Sequence, residues 1–112
     1  MKSLTSQLQR VATAFNDINC DVTHYAPVEN AETPYIVWAE QGEGESFNAD
    51  NAKSEQSIEG VVDFYTQTEF DPILDDIQDT LNSLEGCSWK LDTCQYENET
   101  GIIHYTWNWE LI

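Results

Sequence analysis

Residues 102–111 constrain the fold more than any other part of this sequence. Apolar and polar side chains alternate there, with Ile103, Tyr105, Trp107, Trp109 and Leu111 in one set and His104, Thr106, Asn108 and Glu110 in the other. A period of two is the repeat of a β-strand, whose successive side chains point to opposite faces of a sheet. We therefore predict a strand with one face in a core or an interface and the other face in water.

Four further segments have the composition of strands. Residues 58–66 alternate, with Ile58, Gly60, Val62 and Phe64 on one face and Glu59, Val61, Asp63 and Tyr65 on the other. Residues 35–38 form a short β-rich run after a proline, which is typical of a strand buried on both faces. Residues 20–25 are predicted to be a short extended segment. Residues 89–94 are predicted to pair with residues 102–111 around a turn at 96–101.

Two segments have the spacing of amphipathic helices. The first runs over residues 3–16, and its apolar stripe is Leu4, Leu8, Val11 and Phe15. The second begins after Asp71, which can cap the first free N–H groups, and Pro72, whose φ is already helical. Its buried stripe is Leu74, Ile77, Leu81 and Leu84. Gly86 is placed to end this helix in the left-handed conformation.

The order of these elements is helix, three strands, helix and two strands. This order predicts an α+β fold with a single mixed or antiparallel sheet and helices packed on one face. The chain of 112 residues has the length of one domain. We therefore predict that residues 1–112 form a single unit.

The charge of the chain limits its partners. Its 21 Asp and Glu residues and 4 Lys and Arg residues give a formal net charge of −17. Such a chain cannot hold nucleic acid or an anionic membrane by its own field, because phosphate affinity needs cations that displace counterions. The sequence also has no signal-peptide core near residue 1 and no apolar run of about 20 residues. We expect a soluble protein that binds neither DNA nor membranes.

Two acidic clusters contain enough oxygen ligands for a cation. The first is Asp71, Asp75, Asp76 and Asp79, but carboxylates on one helix face more often serve solvation and complement the helix dipole. The second is Glu40, Glu43, Glu45, Asp50 and Asn51, which lacks the ligand order of an EF-hand. We predict no metal site at either cluster and interpret the second as part of a contact loop.

Catalytic chemistry has little support in the sequence. Cys20, Cys87 and Cys94 contain no CxxC pair, so we predict reduced thiols and not a disulfide framework or a zinc site. His24 and His104 stand in no local pattern with a nucleophile, although a triad can assemble from distant residues. No phosphate-binding motif is present. We predict no catalytic residue and no cofactor.

Two groups of residues are candidates for contact with another protein. Tyr105, Trp107 and Trp109 form an aromatic face that fits a core first and a subunit interface second. A platform for stacking nucleic-acid bases is disfavoured, because no basic residues accompany these rings. The loop at residues 42–51 combines glycines and acids with an apolar anchor. Its candidate contact residues are Gly42, Glu43, Gly44, Glu45, Phe47, Asp50 and Asn51.

Three stretches of the sequence carry a resemblance to a known family: PYIVWAEQG, FNADNAKSEQSIEGVVDFYTQTEFDPILDDIQDTL and GIIHYTWNWEL. They contain, in order, a Pro-Tyr-x-Val-Trp strand, an Ala-Asp-Asn segment, a Gly-x-Val-Asp strand, a Phe-Asp-Pro helix start and a strand rich in aromatic residues. In this joint order, across residues 34–111, the chain resembles the small tail terminator, or tail completion, proteins of siphovirus-like phages and prophages of Gram-positive bacteria.

The resemblance implies a structural α+β subunit of the virion that assembles in the host cytoplasm into a ring, typically sixfold. The ring would cap the tail tube, contact the tube protein and the head–tail connector proteins, and carry no catalytic residue. A negative channel wall would let genomic DNA pass without sticking, because carboxylates repel phosphates. Head-completion and tube proteins include related folds, so the fold does not determine the position in the neck.

Two other functions remain open at this point. An acidic DNA mimic would inhibit a nucleic-acid-binding enzyme, and it would be a monomer or dimer whose acids are spaced like duplex phosphates. An enzyme with paired carboxylates would need two acids that converge in a pocket. The mass of the native assembly distinguishes the ring from the mimic.

Overall fold

The computed structural model describes residues 2–44, 48–49, 52–53 and 55–112. Within these residues the elements in chain order are α1 (Leu4–Asn16), β1 (Asp21–His24), β2 (Tyr35–Glu43), β3 (Asn48–Ala49), β4 (Ala52–Lys53), β5 (Ile58–Thr66), α2 (Ile73–Ser83), β6 (Cys87–Glu97) and β7 (Ile102–Leu111). Five strands form one sheet, and β3 and β4 pair separately.

The five-stranded sheet is mixed, and its strand order is β1-β2-β5-β7-β6. β1 runs parallel to β2, whereas the pairs β2–β5, β5–β7 and β7–β6 are antiparallel. Both helices contribute their apolar side chains to one core, which lies on a single face of the sheet. The predicted α+β fold, with one mixed sheet and helices on one face, is confirmed.

The alternation predicted for the two central strands is present, and it builds the core layer. In β5 every second residue from Ile58 to Thr66 is buried. The register places Gly60 opposite Trp109 of β7, and a Cβ at Gly60 would overlap the indole ring of Trp109. A glycine is therefore required at this point of close approach.

The two helices close the core from above. Val11 and Phe15 of α1 and Ile77 and Leu81 of α2 have no exposed surface. The predicted stripe of α1 is wrong in its first turn, because Leu4 is 47% exposed while Gln7 is 3% exposed. Gln7 is accommodated there because its Oε1 accepts a hydrogen bond from Arg10 Nη1 at 2.7 Å.

β2 is longer than the sequence predicted. Residues 36–38 are all buried, as predicted, with Ile36 and Trp38 in the core under the helices and Val37 on the opposite face of the sheet. The strand then continues to Glu43, so Glu40 and Glu43, which the sequence assigns to a contact loop, lie in a strand instead. Backbone pairing with β5 resumes at Gly42 after a register shift, and the side chains at this end are exposed, so water screens the acids from one another. Likewise β6 extends beyond residues 89–94, and β3, within the loop predicted at residues 42–51, pairs with β4.

The junction between β5 and α2 has the predicted cap. Asp71 Oδ1 accepts the N–H of Ile73 at 2.9 Å, and Pro72 has the helical dihedrals φ −64° and ψ −16°. At the other end α2 stops at Ser83 with an extended Leu84 (ψ 111°), so the prediction that Gly86 itself ends the helix is wrong, although Gly86 has the predicted left-handed φ of +81°. It is the third residue of a turn closed by the N–H of Cys87 and the carbonyl of Leu84 at 3.1 Å. This turn leads directly from α2 into β6.

Candidate functional site

The face of the sheet opposite the helices carries a row of stacked rings. The rings of Tyr35 and Tyr65 lie 4.6 Å apart, and those of Tyr65 and His104 lie 4.2 Å apart. Burial, followed by the nearby charges of Asp63 and Tyr35, raises the pKa of Tyr65, and burial raises the pKa of Tyr35. Because the rings stack on one another, the row is a support for this face and not a free stacking platform.

His104 lies within a polar cluster that resembles a catalytic triad in composition only. Its Nε2 is 2.8 Å from Asp63 Oδ1 and 3.2 Å from Thr106 Oγ1, and Thr106 Oγ1 donates to the same Asp63 oxygen at 2.7 Å. A triad needs the acid and the nucleophile on different ring nitrogens, so that the imidazole can pass a proton between them. Here one nitrogen faces both groups, so this cluster holds neighbouring strands together and cannot activate Thr106.

The second histidine lies on the helix face, at the edge of the sheet. The ring of His24 stacks on Trp38 at 3.8 Å and on Tyr25 at 3.7 Å. Glu40 binds the central ring and one outer ring, with its oxygens 2.6 Å from His24 Nε2 and 2.7 Å from the Tyr25 hydroxyl. Burial opposes ionisation of Glu40, but the hydrogen bonds from Tyr25 and His24 lower its pKa overall. The cluster covers the exposed end of the core beside Trp38.

The acidic row predicted on α2 is divided by burial. Asp75, Asp76 and Asp79 are exposed, whereas Asp71 is 7% exposed and acts as the cap. Over the described ranges, no three His, Cys, Asp or Glu side chains come close enough to hold a metal ion.

The three cysteines are free thiols in the structure. Burial, and then the charge of Asp21, raises the pKa of Cys20 to about 11. Burial raises the pKa of Cys87 to about 11 as well, against a smaller opposing effect of Arg10. These two thiols therefore stay protonated near neutral pH and are poor nucleophiles.

The predicted contact residues divide into three groups. Gly42 and Glu43 end β2, and the N–H of Gly44 donates to the carbonyl of Ser57 at 3.1 Å. Four others, Glu45, Phe47, Asp50 and Asn51, lie outside the described residues. Trp107 and Trp109 are 1% and 3% exposed, so the alternative of an interface is wrong for these two side chains. The core that the sequence favoured for them is what the structure contains.

Tyr105 is half-buried and belongs to a surface groove that the sequence did not predict. The groove lies where the β6–β7 hairpin extends past the beginning of α2, and its volume is about 670 Å³. Its lining residues are Gln67, Glu69, Phe70, Leu74, Tyr96, Gly101, Ile103 and Tyr105. Burial, followed by Cys94, Asp71 and Glu69, raises the pKa of Tyr105. We call this surface the aromatic groove.

Phe70 is the most unusual residue of the aromatic groove. It is 87% exposed, and its φ of +58° lies in the left-handed region that bulky residues avoid. A signal for it was present in the sequence. Phe70 occupies the position before the helix cap from which an apolar side chain normally packs against the fourth helical residue, but that residue is Asp75. The apolar partner that such a ring normally has in the fourth helical residue is therefore missing.

Neither described helix is long and apolar enough to cross a membrane. The longer of the two, α1, has 13 residues. No protein-family model matches this sequence, and no curated protein matches it either. The function is therefore inferred from the fold, the charge and the surfaces described above, together with the resemblance carried by residues 34–111.

Proposed function

We propose that this chain is a structural subunit of a siphovirus-like phage tail, and that copies of it form a closed ring at the end of the tail tube. In this function the ring, sixfold by the resemblance, joins the tube to the head–tail connector and contains no catalytic residue. Its location is the neck of the virion, after assembly in the host cytoplasm.

The observation that carries the proposal is the free outer edge of β6, the last strand of the sheet. β6 has 11 residues, of which all but Cys87 and Trp89 are exposed, and among the described strands it pairs only with β7. Such an edge leaves backbone N–H and carbonyl groups free to pair with another chain. At the other edge of the sheet β1 has four residues, and among the described strands it pairs only with β2. Contact between two different edges is heterologous, and a heterologous contact closes into a ring when its rotation permits.

The charge of the chain supports a passage for DNA. Six subunits at −17 each would surround the channel with carboxylates, and only four lysines and arginines per subunit could hold phosphate. DNA would then pass through the ring without the counterion release that drives binding. Another neck or tail protein of the same fold would share this property, so charge does not fix the position in the neck.

The native mass of the purified protein tests the proposal. We expect light scattering to show a ring at moderate salt, alone or with tube protein, and electron microscopy to show a closed particle with a central channel. Low salt should favour the monomer, because self-repulsion between subunits is then unscreened. A monomer under all of these conditions would contradict the proposal. A monomer or dimer that binds a nucleic-acid-binding enzyme in competition with DNA would instead support the DNA mimic.

A further inference from the structure

The aromatic groove displays a side chain that the subunit itself does not use. Phe70 leaves 87% of its surface exposed, so its ring contributes almost nothing to the core. Its φ of +58° brings the Cβ close to the following carbonyl, which costs stability in a bulky residue such as phenylalanine, whereas glycine and asparagine tolerate it. A residue that costs stability and buries nothing within its own chain fits a contact outside that chain.

The backbone on both sides of Phe70 is fixed by buried hydrogen bonds. The hydroxyl of Thr66 donates to Asp71 Oδ2 at 2.7 Å, and it accepts the N–H of Thr68 at 3.1 Å. The other oxygen of Asp71 accepts the N–H of Ile73. The backbone at Phe70 is therefore fixed before any partner arrives, and a preorganised backbone loses little conformational entropy on binding.

The rest of the groove provides an apolar surface beside this anchor. Tyr96 is 62% exposed, and the register places it opposite Ile103 on the helix side of the hairpin. Leu74 of α2 and the half-buried Tyr105 complete the lining. Adjacent exposed apolar side chains of this kind mark interaction sites in soluble proteins.

The charge around the groove is acidic. Glu69 lines it, Glu99 lies in the turn of the hairpin, and Asp75 follows Leu74 in the first turn of α2, whereas Glu97 alternates to the opposite face of the sheet. None of the eight lining residues is lysine or arginine. A second copy of the chain has only four lysines and arginines against 21 acids, so it offers this surface few cations to pair with. A basic partner is attracted by the same acids.

We propose that the aromatic groove binds a partner protein through an apolar side chain flanked by lysine or arginine residues. The apolar side chain packs between Phe70 and Tyr96, and the flanking cations pair with Glu69 and the acid of the hairpin turn. This site goes beyond the ring. It uses side chains on one face of β6 and leaves the edge of that strand free, so it stands whether or not the subunits close into a ring.

Short labelled peptides of three designs test this proposal by fluorescence anisotropy. The first has a central leucine or phenylalanine flanked by lysines and arginines, the second replaces the central residue with serine, and the third replaces the flanking cations with glutamates. Each is titrated with the wild-type protein, with Phe70→Asn and with Val28→Asn. Val28 is a matched control, because it is 59% exposed and lines a different pocket.

We expect the first peptide to bind wild type at least about tenfold more tightly than the second, as for an interfacial anchor. Phe70→Asn should abolish that difference, Val28→Asn should keep it, and the glutamate peptide should not bind. Both variants should melt no lower than wild type, since each replaced side chain is exposed. At position 70, asparagine also tolerates the left-handed conformation.

Three results would overturn the proposal. Equal binding of the first two peptides to wild type, or no binding of either, would show that the groove does not select an apolar anchor. An undiminished difference in Phe70→Asn would place the site elsewhere. Self-association of the wild type that Phe70→Asn abolishes would show that a second copy occupies the groove.

Discussion

The helix face of β7 has two halves that differ in burial although their sequence pattern is the same. Trp107, Trp109 and Leu111, the covered half, are at most 3% exposed. Ile103 and Tyr105, the overhanging half, are only partly buried and line the aromatic groove. The alternation of apolar and polar residues is unbroken across both halves. A strand pattern therefore identifies which side chains share a face, and the elements packed above decide whether that face is core or surface.

The lengths of the elements explain the difference. α2 has 11 residues, which at a rise of 1.5 Å per residue span about 16 Å. β7 has 10 residues, which at about 3.3 Å per residue span about 33 Å. Gln78 of α2 accepts the indole N–H of Trp107 at 3.1 Å, and Asn82 accepts that of Trp89 at 2.8 Å, so the helix is fixed over the covered half. The hairpin beyond it has no helix of this chain to pack against among the described residues.

The largest effect is expected from truncating one ring in each half. Trp107→Ala should lower the free energy of unfolding by about 3–5 kcal/mol, because it leaves a cavity in the core. Tyr105→Ala should cost about 1 kcal/mol, because less apolar area is lost from the half-buried ring. Urea unfolding followed by far-ultraviolet circular dichroism measures both. Equal losses would show that the overhanging half is as buried in solution as the covered half.

A second test adds a single methyl group to the covered half. Gly60→Ala should destabilise the fold by about 1–3 kcal/mol, since the new Cβ overlaps the indole of Trp109 and the ring must shift. Gly42→Ala is the control, because no atom lies within 4 Å of a Cβ added there, and it should change stability by no more than about 0.5 kcal/mol. Similar melting temperatures for the two variants would contradict close packing in the covered half.

The boundary between the halves depends on the start of α2. Asp71→Ala should cost about 1–2 kcal/mol, because it removes the cap of the helix and leaves the buried hydroxyl of Thr66 without its acceptor. The double variant Asp75→Ala/Asp79→Ala should stay within about 0.5 kcal/mol of wild type, since both side chains are exposed. Thermal melting with and without calcium serves as a check. A calcium-dependent rise that the double variant loses would reveal a cation site on α2.

Beside the overhanging half, one substitution should not lower stability as the preceding ones do. Phe70→Asn should leave the free energy of unfolding unchanged or raise it by up to about 1 kcal/mol, because it relieves left-handed strain and removes almost no buried area. Chemical denaturation of the two proteins side by side measures this. A loss of stability would indicate that the ring packs within the subunit in solution.

The smallest effect is expected at the β1 edge of the sheet, where Glu40 binds His24 and Tyr25 beside Trp38. The pKa of Glu40 is lowered from 4.5. A lowered carboxylate pKa contributes stability that is present above the unfolded value and is lost as pH falls through the folded value. Glu40→Gln should therefore remove a pH-dependent contribution of about 0.3 kcal/mol, small because the pair is near the surface. Melting curves from neutral pH to below pH 4.5 should converge for the two proteins.

Much of the fold could be predicted from local patterns, and the candidate site could not. The period of β5, the cap at Asp71 and the left-handed Gly86 each depend on a few neighbouring residues, and all three are present. The first turn of α1 was predicted wrongly, because the buried position is occupied by the polar Gln7, whose Oε1 accepts a hydrogen bond from Arg10, and hydrophobicity does not identify such a residue. The aromatic groove was missed because its residues come from β5, α2 and the hairpin, which no sequence window contains together.

The sequence by itself determined the fold class, the alternation of the central strands and the net charge of −17. These properties follow from residue type and spacing, which are fixed before the chain folds. Only the tertiary structure decided that Trp107 is core while Tyr105 is surface, and that Phe70 is exposed beside Tyr96. The physical reason is geometric: a short helix over a longer strand covers part of it, and where the covered part ends depends on how the two pack.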